Sequence, residues 1–168
     1  MKHLIEEWKE NAERKQDITF DFLNWLKLYK SENHVDRIAK ESHDEVFSQI
    51  DCTKCANCCK TIRPQVNKAD IKSISAFLEI SKDEFIEKYL KLDDEDEYEM
   101  NALPCPFLKD DKCSIYEVRP KDCRDFPHTD KKEFTARRYL HTANTKACPA
   151  VFHIIETMKD RFNWRERK

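Results

Sequence analysis

Glycine is missing altogether from the 168 residues, where average usage of ~7% would supply roughly a dozen. Tight turns must then be made by Asn, Asp and Pro, which reach the required dihedrals less freely. That favours helices over a turn-rich β architecture. The same absence excludes the P-loop, the dinucleotide-binding glycine run and the nucleophile elbow in their usual forms. No apolar run approaches the ~18 residues of a membrane-spanning helix. Neither sign of charge is in excess: 31 Lys and Arg face 33 Asp and Glu, for a net charge of -2. This speaks against a polyanion binder or a membrane-surface protein. The opening "MKHLIEEWKENAER" reaches Glu6 and Glu7 before any uninterrupted apolar stretch forms. No secretory leader is read there, and a cytoplasmic protein is expected.

What the chain does have is cysteine. "DCTKCANCCK" carries Cys52, Cys55, Cys58 and Cys59 within eight consecutive positions, and Cys105, Cys113, Cys123 and Cys148 follow. In a reducing compartment such thiols point to metal ligation or redox chemistry rather than to four disulfides. Two-residue spacing lets two side chains converge on one cation from a single tight turn. C-x2-C is therefore a common zinc half-site, and C-x2-C-x2-C a common holder of an iron–sulfur cluster. Adjacent Cys58 and Cys59 point in different directions. One segment serving two metal positions explains them; the plainer alternative makes Cys59 a small buried hydrophobe. All eight cysteines are candidate metal ligands.

Zinc and iron both stay open. Eight thiolates divide evenly into two closed four-sulfur zinc sites. The C-x2-C-x2-C run and the Cys148-Pro149 pair favour iron, because proline follows the last ligand in bacterial ferredoxins. So many thiolates need donors and countercharge around them, which Lys54, Lys60, Arg63, Lys112, Arg119, Lys121 and Arg124 can supply. Arg119 or Arg124, flanking Cys123, is expected beside the sulfurs. Without glycine, Asn57 is expected to take the strained backbone position between the early cysteines.

The rest of the chain reads as a mainly α protein. At this length a single domain over 1–168 is expected, with an N-terminal helical extension over 1–50, an irregular cysteine-rich metal-binding core over 51–150 and a C-terminal helix over 149–163. Leu4, Ile5, Trp8 and Ala12 share one helical face; Ile18, Phe22, Leu26 and Tyr29 share a second, with Asp17 as its N-cap. Val35, Ile38, Ala39, Val46, Phe47 and Ile50 mark a third. Asn67 with Asp70, and Ser81 with Glu84, read as helix starts. The acidic run 93–97 reads as a solvated loop. "PCPFLKDDKCSIYEVRP" reads as a short β-hairpin, with Pro104 and Pro106 stiffening the chain at Cys105. Pro149 opens the last helix, whose stripe is Val151, Ile154, Ile155, Met158 and Phe162. The flanking helices are expected to pack on one another and frame the core.

"CTKCANCC", "CPFLKDDKCSIYEVRPKDCRDFP" and a late cysteine together resemble the YkgJ-type cysteine-cluster family, whose members are described as zinc- or iron-chelating and carry a CxxCxxCC motif. The resemblance covers roughly Asp51 to Ala150. It implies that the eight cysteines belong to one metal-binding unit, with Tyr116, Arg119, Pro120 and Arg124 as motif neighbours. One branch, the flagellin lysine methylases, has a similar cysteine pattern, which implies iron–sulfur-linked redox or methyl-transfer chemistry as an alternative function. A third reading is a helical interaction module with structural zinc, in which the N-terminal helices bind a protein partner. His43 reads as a core histidine and His128 as the best placed extra ligand. Arg137, Arg138 and the "WRERK" tail are basic but form no broad face, which argues against nucleic acid as a partner.

Overall fold

Helices form in this chain wherever apolar residues recur every three or four positions, and the turns between them rest on Asp, Asn, Ala and Glu. The computed structural model describes residues 8–166. The chain is mostly α with two small antiparallel hairpins and divides into two compact units, one discontinuous and one continuous.

The discontinuous unit contains the described residues 8–51 and 127–166. Its helices are α1 (Trp8–Arg14), α2 (Gln16–Tyr29), α3 (Glu32–Phe47), α8 (Arg138–Asn144) and α9 (Pro149–Arg161), with a 3-10 turn over Phe134–Arg137. The longest contact is α3 against α9, and α2 lies along α8. Phe22, Leu23, Leu26, Val35, Ala39, Phe134, Ile154 and Met158 fill the interior. Glu32 of α3 accepts from the Thr135 amide at 3.0 Å and its hydroxyl at 2.6 Å, and Asp36 accepts from the amides of Glu133 and Phe134. Two carboxylates of one helix thus satisfy the amides that open the distant 3-10 turn. Arg161 of α9 reaches back to Glu41 and Glu45 of α3 at 2.9 and 2.7 Å. The helices before and after the cysteine region pack on one another, as their faces predict.

Three details differ from the sequence reading. Lys15, not Asp17, stands at the N-cap of α2, and Asp17 lies in its first turn, where it faces the positive end of the helix dipole. Tyr29 is 65% exposed, because the buried stripe runs through Thr19, Phe22, Leu23 and Leu26 instead. Leu4 and Ile5, expected beside Trp8 and Ala12, lie outside the described residues; Trp8 and Ala12 pack on Phe152.

The continuous unit spans Cys52–Phe126. It holds α4 (Asn57–Thr61), α5 (Lys68–Phe77), α6 (Lys82–Tyr89), β1 (Leu90–Leu92), β2 (Tyr98–Met100), β3 (Leu108–Lys109), β4 (Lys112–Cys113) and α7 (Lys121–Asp125), with 3-10 turns at Cys52–Lys54 and Tyr116–Val118. Val66, Ile71, Ile74, Phe85, Leu90, Met100, Phe107 and Ile115 form its core. Asn67 and Asp70 make the expected reciprocal cap on α5, and the Ser81 hydroxyl accepts from the Glu84 amide at the start of α6. The acidic run is the exposed loop of a β1–β2 hairpin that the sequence reading lacks. Asp93 organises it by accepting from the Glu95 and Glu97 amides. No helix among the described residues is long and apolar enough to cross a membrane.

Candidate metal centre

The early cysteines sit on a local reversal. Cys52 opens the 3-10 turn, and its carbonyl accepts from the amides of Cys55 and Ala56, each at 3.2 Å. Ala56 then adopts left-handed backbone (φ 52°), and α4 begins at Asn57. The strained position therefore falls on Ala56 and not on Asn57. A left-handed residue ahead of a helix start brings Cys55 and Cys58 onto successive turns, and Asn57 is already helical. Cys52 is exposed, while Cys55, Cys58 and Cys59 are half-buried.

Three further segments converge on α4. The Cys105 amide donates to the Cys59 carbonyl at 2.8 Å, which ties the proline-bracketed loop to the helix. The β3–β4 hairpin then pairs Leu108 with Cys113. Its two-residue turn is Asp110-Asp111, both left-handed (φ 48° and 58°). That is the conformation tight hairpins need, and Asp tolerates it better than most residues. Lys60 of α4 pairs with Asp111 of this turn at 2.5 Å. Finally α7 presents Cys123. Its start is held by Asp70, a 3% exposed carboxylate of α5 that accepts from the Lys121 amide at 3.0 Å and faces Arg124 at 3.5 Å. Arg124 also donates to the Arg119 carbonyl.

Between these segments lies a cleft of about 420 Å3, walled by Cys52, Cys58, Cys59, Cys105, Cys113 and Cys123 among apolar groups that include Met100, Phe107 and Ile115. Arg119 stands at its rim, stacked on Tyr116 with 3.8 Å from guanidinium to ring centre. A second depression of about 70 Å3 adjoins Cys58, Cys59, Cys105 and Cys123. The thiols ring this space. Among the described residues no three His, Cys, Asp or Glu side chains converge on one point as a finished coordination shell.

Electrostatics links four of the sulfurs closely. Cys59 is drawn down to about 7, first by a hydrogen bond from Cys58 and also by Lys60, against the opposing effect of burial. Burial pushes Cys105 and Cys113 up, and Cys123 up to about 12. In each case neighbouring thiols add to the rise. Every pair among Cys59, Cys105, Cys113 and Cys123 is near enough for one charge to act on the other. Cys105, Cys113 and Cys123 therefore hold their protons at neutral pH, and a bound cation is what would favour the four as thiolates together. Arg119 offsets part of this at Cys113, and Lys60 lies near both Cys55 and Cys59. A donor set of cysteine sulfurs within an apolar cleft, with Arg119 and Lys60 beside it, fits a soft or borderline cation such as zinc, or iron as a metal–sulfur group.

The sequence-predicted set divides between the units. Seven cysteines belong to the continuous unit. Cys148 belongs to the discontinuous one, where it is 8% exposed and caps α9, donating its amide to the Asn144 carbonyl at 2.8 Å. His43 also lies there, half-buried, with Nδ1 2.8 Å from the Thr129 hydroxyl, its ring packed on Phe47 and its pKa lowered chiefly by burial. It is a core histidine, as expected. His128 stands in left-handed backbone of the same unit. Sequence reasoning saw Asp70 only as a capping residue and missed its hold on α7. Its partners Lys121 and Arg124 are more than fifty residues away, and no local pattern announces them.

A model of the family described as "Putative zinc- or iron-chelating domain", with the motif CxxCxxCC, matches residues 51–149. An uncharacterized protein of Methanocaldococcus jannaschii is 37% identical over 82 residues, which is 46% of this chain. The chain spans 44% of that relative's length. No solved structure matches the chain.

Proposed function

Because the chain belongs to the CxxCxxCC family of zinc- or iron-chelating domains, we propose that its continuous unit is a thiolate metal centre that binds zinc or iron and is stabilised by doing so. One observation carries this reading. Cys59, Cys105, Cys113 and Cys123 come from four separate segments and face one cleft, each within electrostatic reach of the other three. A backbone bond from Cys105 to Cys59 and the Asp70 carboxylate at the Lys121 amide already tie α4, the proline-bracketed loop and α7 in place, which lowers the ordering cost of bringing the donors together. Cys52, Cys55 and Cys58 enlarge the donor pool. The membership of Cys148 rests on the sequence pattern alone.

Protein purified without oxygen should carry zinc or iron by elemental analysis, and Cys123→Ser should carry less of it. Wild-type protein containing neither metal would sink the reading. A second reading, an iron–sulfur cluster serving redox or methyl-transfer chemistry, is favoured by the number of sulfurs: seven in one unit exceed the four that one tetrahedral ion takes. It requires brown protein with acid-labile sulfide, and colourless, iron-free, zinc-replete protein excludes it.

A further inference from the structure

The seven thiols of the continuous unit are not alike in how they are held. Cys59, Cys105, Cys113 and Cys123 come from four separate segments: α4, the proline-bracketed loop, β4 and α7. Backbone pairing locks their spacing, through Cys105 to Cys59 and through Leu108 to Cys113. Cys52, Cys55 and Cys58 instead lie within one stretch of seven residues, which runs from the 3-10 turn to the start of α4. Cys52 is exposed. Ala56, in the middle of this stretch, holds a backbone shape unfavourable to a residue with a β-carbon. The two groups meet where Cys58 hydrogen-bonds to Cys59 and where Lys60 lies near both Cys55 and Cys59.

We propose that these thiols divide into an inner set, Cys59, Cys105, Cys113 and Cys123, that retains its ion, and an outer set, Cys52, Cys55 and Cys58, that exchanges a cargo ion with thiols arriving from solution. The proposal rests on the thiolate-metal reading above. Four sulfurs close a tetrahedral ion. Three leave one position for an external thiolate, and the exposed Cys52 keeps the outer set open to it. Exchange is substitution without redox change. A metal–sulfur bond to the arriving thiolate forms as the bond to Cys52 breaks, and the proton of the arriving thiol passes to the Cys52 sulfur through solvent. The adjacent Cys58-Cys59 pair then has a purpose, since it puts neighbouring sulfurs of one helix into sets of different lability.

The full chain, loaded anaerobically with zinc, is mixed with a chromophoric chelator with and without glutathione. Wild type should release zinc in two phases, only the faster of which glutathione accelerates. Cys55→Ser should lose the fast phase and about one zinc per chain, keeping the slow phase and its thermal midpoint. Cys105→Ser should lose the slow phase. Cys148→Ser should leave the fast phase unchanged. A Cys55→Ser protein that loses all its zinc, or that keeps the fast phase, overturns the division, as does loss of the fast phase in Cys148→Ser. If wild type holds neither zinc nor iron, the metal reading itself falls. If it holds zinc but releases it in one phase, only the division falls.

Discussion

His141 shows at the scale of one residue what burial does to a titrating group. Its side chain is fully buried and stacked on Phe134, with 4.2 Å between ring centres and 19° between planes. Neither ring nitrogen makes a hydrogen bond of good geometry, and the Phe134 backbone favours the charged form only weakly. Burial first, then Arg137 and His128, lowers its pKa from the usual 6.5 to about 3. Above pH 6.5 the ring is neutral in both folded and unfolded chains, and stability does not depend on it. As pH falls below 6.5 the unfolded chain takes up a proton that the folded chain refuses until near pH 3. Stability should therefore fall across that window, by on the order of 2–4 kcal/mol in full. Urea midpoints at pH 7 and pH 4.5 should show a larger loss for wild type than for His141→Phe, which keeps the stacking and removes the titration. Equal slopes would show that the ring is not held neutral. Residue chemistry was only partly legible beforehand. The cysteines stood out by spacing, but the left-handed position fell on Ala56. Two-residue spacing calls for a reversal without saying which residue makes it, and alanine carries no signal for one.

At the scale of elements, Asp70 joins two helices that are far apart in sequence. It caps α5 by accepting from the Asn67 amide and anchors the start of α7, two residues before Cys123. Asn67→Ala removes the other half of the cap and should cost about 1 kcal/mol of stability, leaving the metal content unchanged. Asp70→Ala removes the cap and the anchor together, and should also weaken metal retention by roughly 10- to 100-fold, as removal of groups that orient ligands commonly does. Chelator competition on the two variants separates these effects; identical retention would mean that α7 needs no anchor. The β3–β4 hairpin was legible because two aspartates between short apolar stretches signal a tight turn. The β1–β2 hairpin was not. Its strands have three residues each, too few to show alternation, and the acidic loop between them looks like any solvated run. Only the buried Leu90 and Met100, paired across it, give it a core side.

For the whole molecule, the sequence carried the fold class and the metal-binding family but not the course of the chain between them. Residues 127–148 read as part of the cysteine core, yet they pack with the N-terminal helices, because Glu32 and Asp36 hold amides about a hundred residues away. The two units should respond differently to metal removal. On treatment with a chelator, hydrogen exchange should accelerate at the amides of Cys105, Leu108 and Ser114, whose bonds frame the sulfurs. Amides in the middle of α3 and α9 should stay protected. Uniform loss of protection would mean that the metal supports the whole chain at once.

The helical unit is written in two pieces with the thiol-bearing unit between them. During synthesis, every cysteine of that middle segment leaves the ribosome before α8 and α9 do, and at elongation rates of roughly 5–20 residues per second the gap lasts on the order of seconds. The cell's free metal pool therefore meets the nascent thiols while α2 and α3 still await their partners. If the thiolate-metal reading holds, a cation at the exit tunnel can reach these thiols before the helical unit closes.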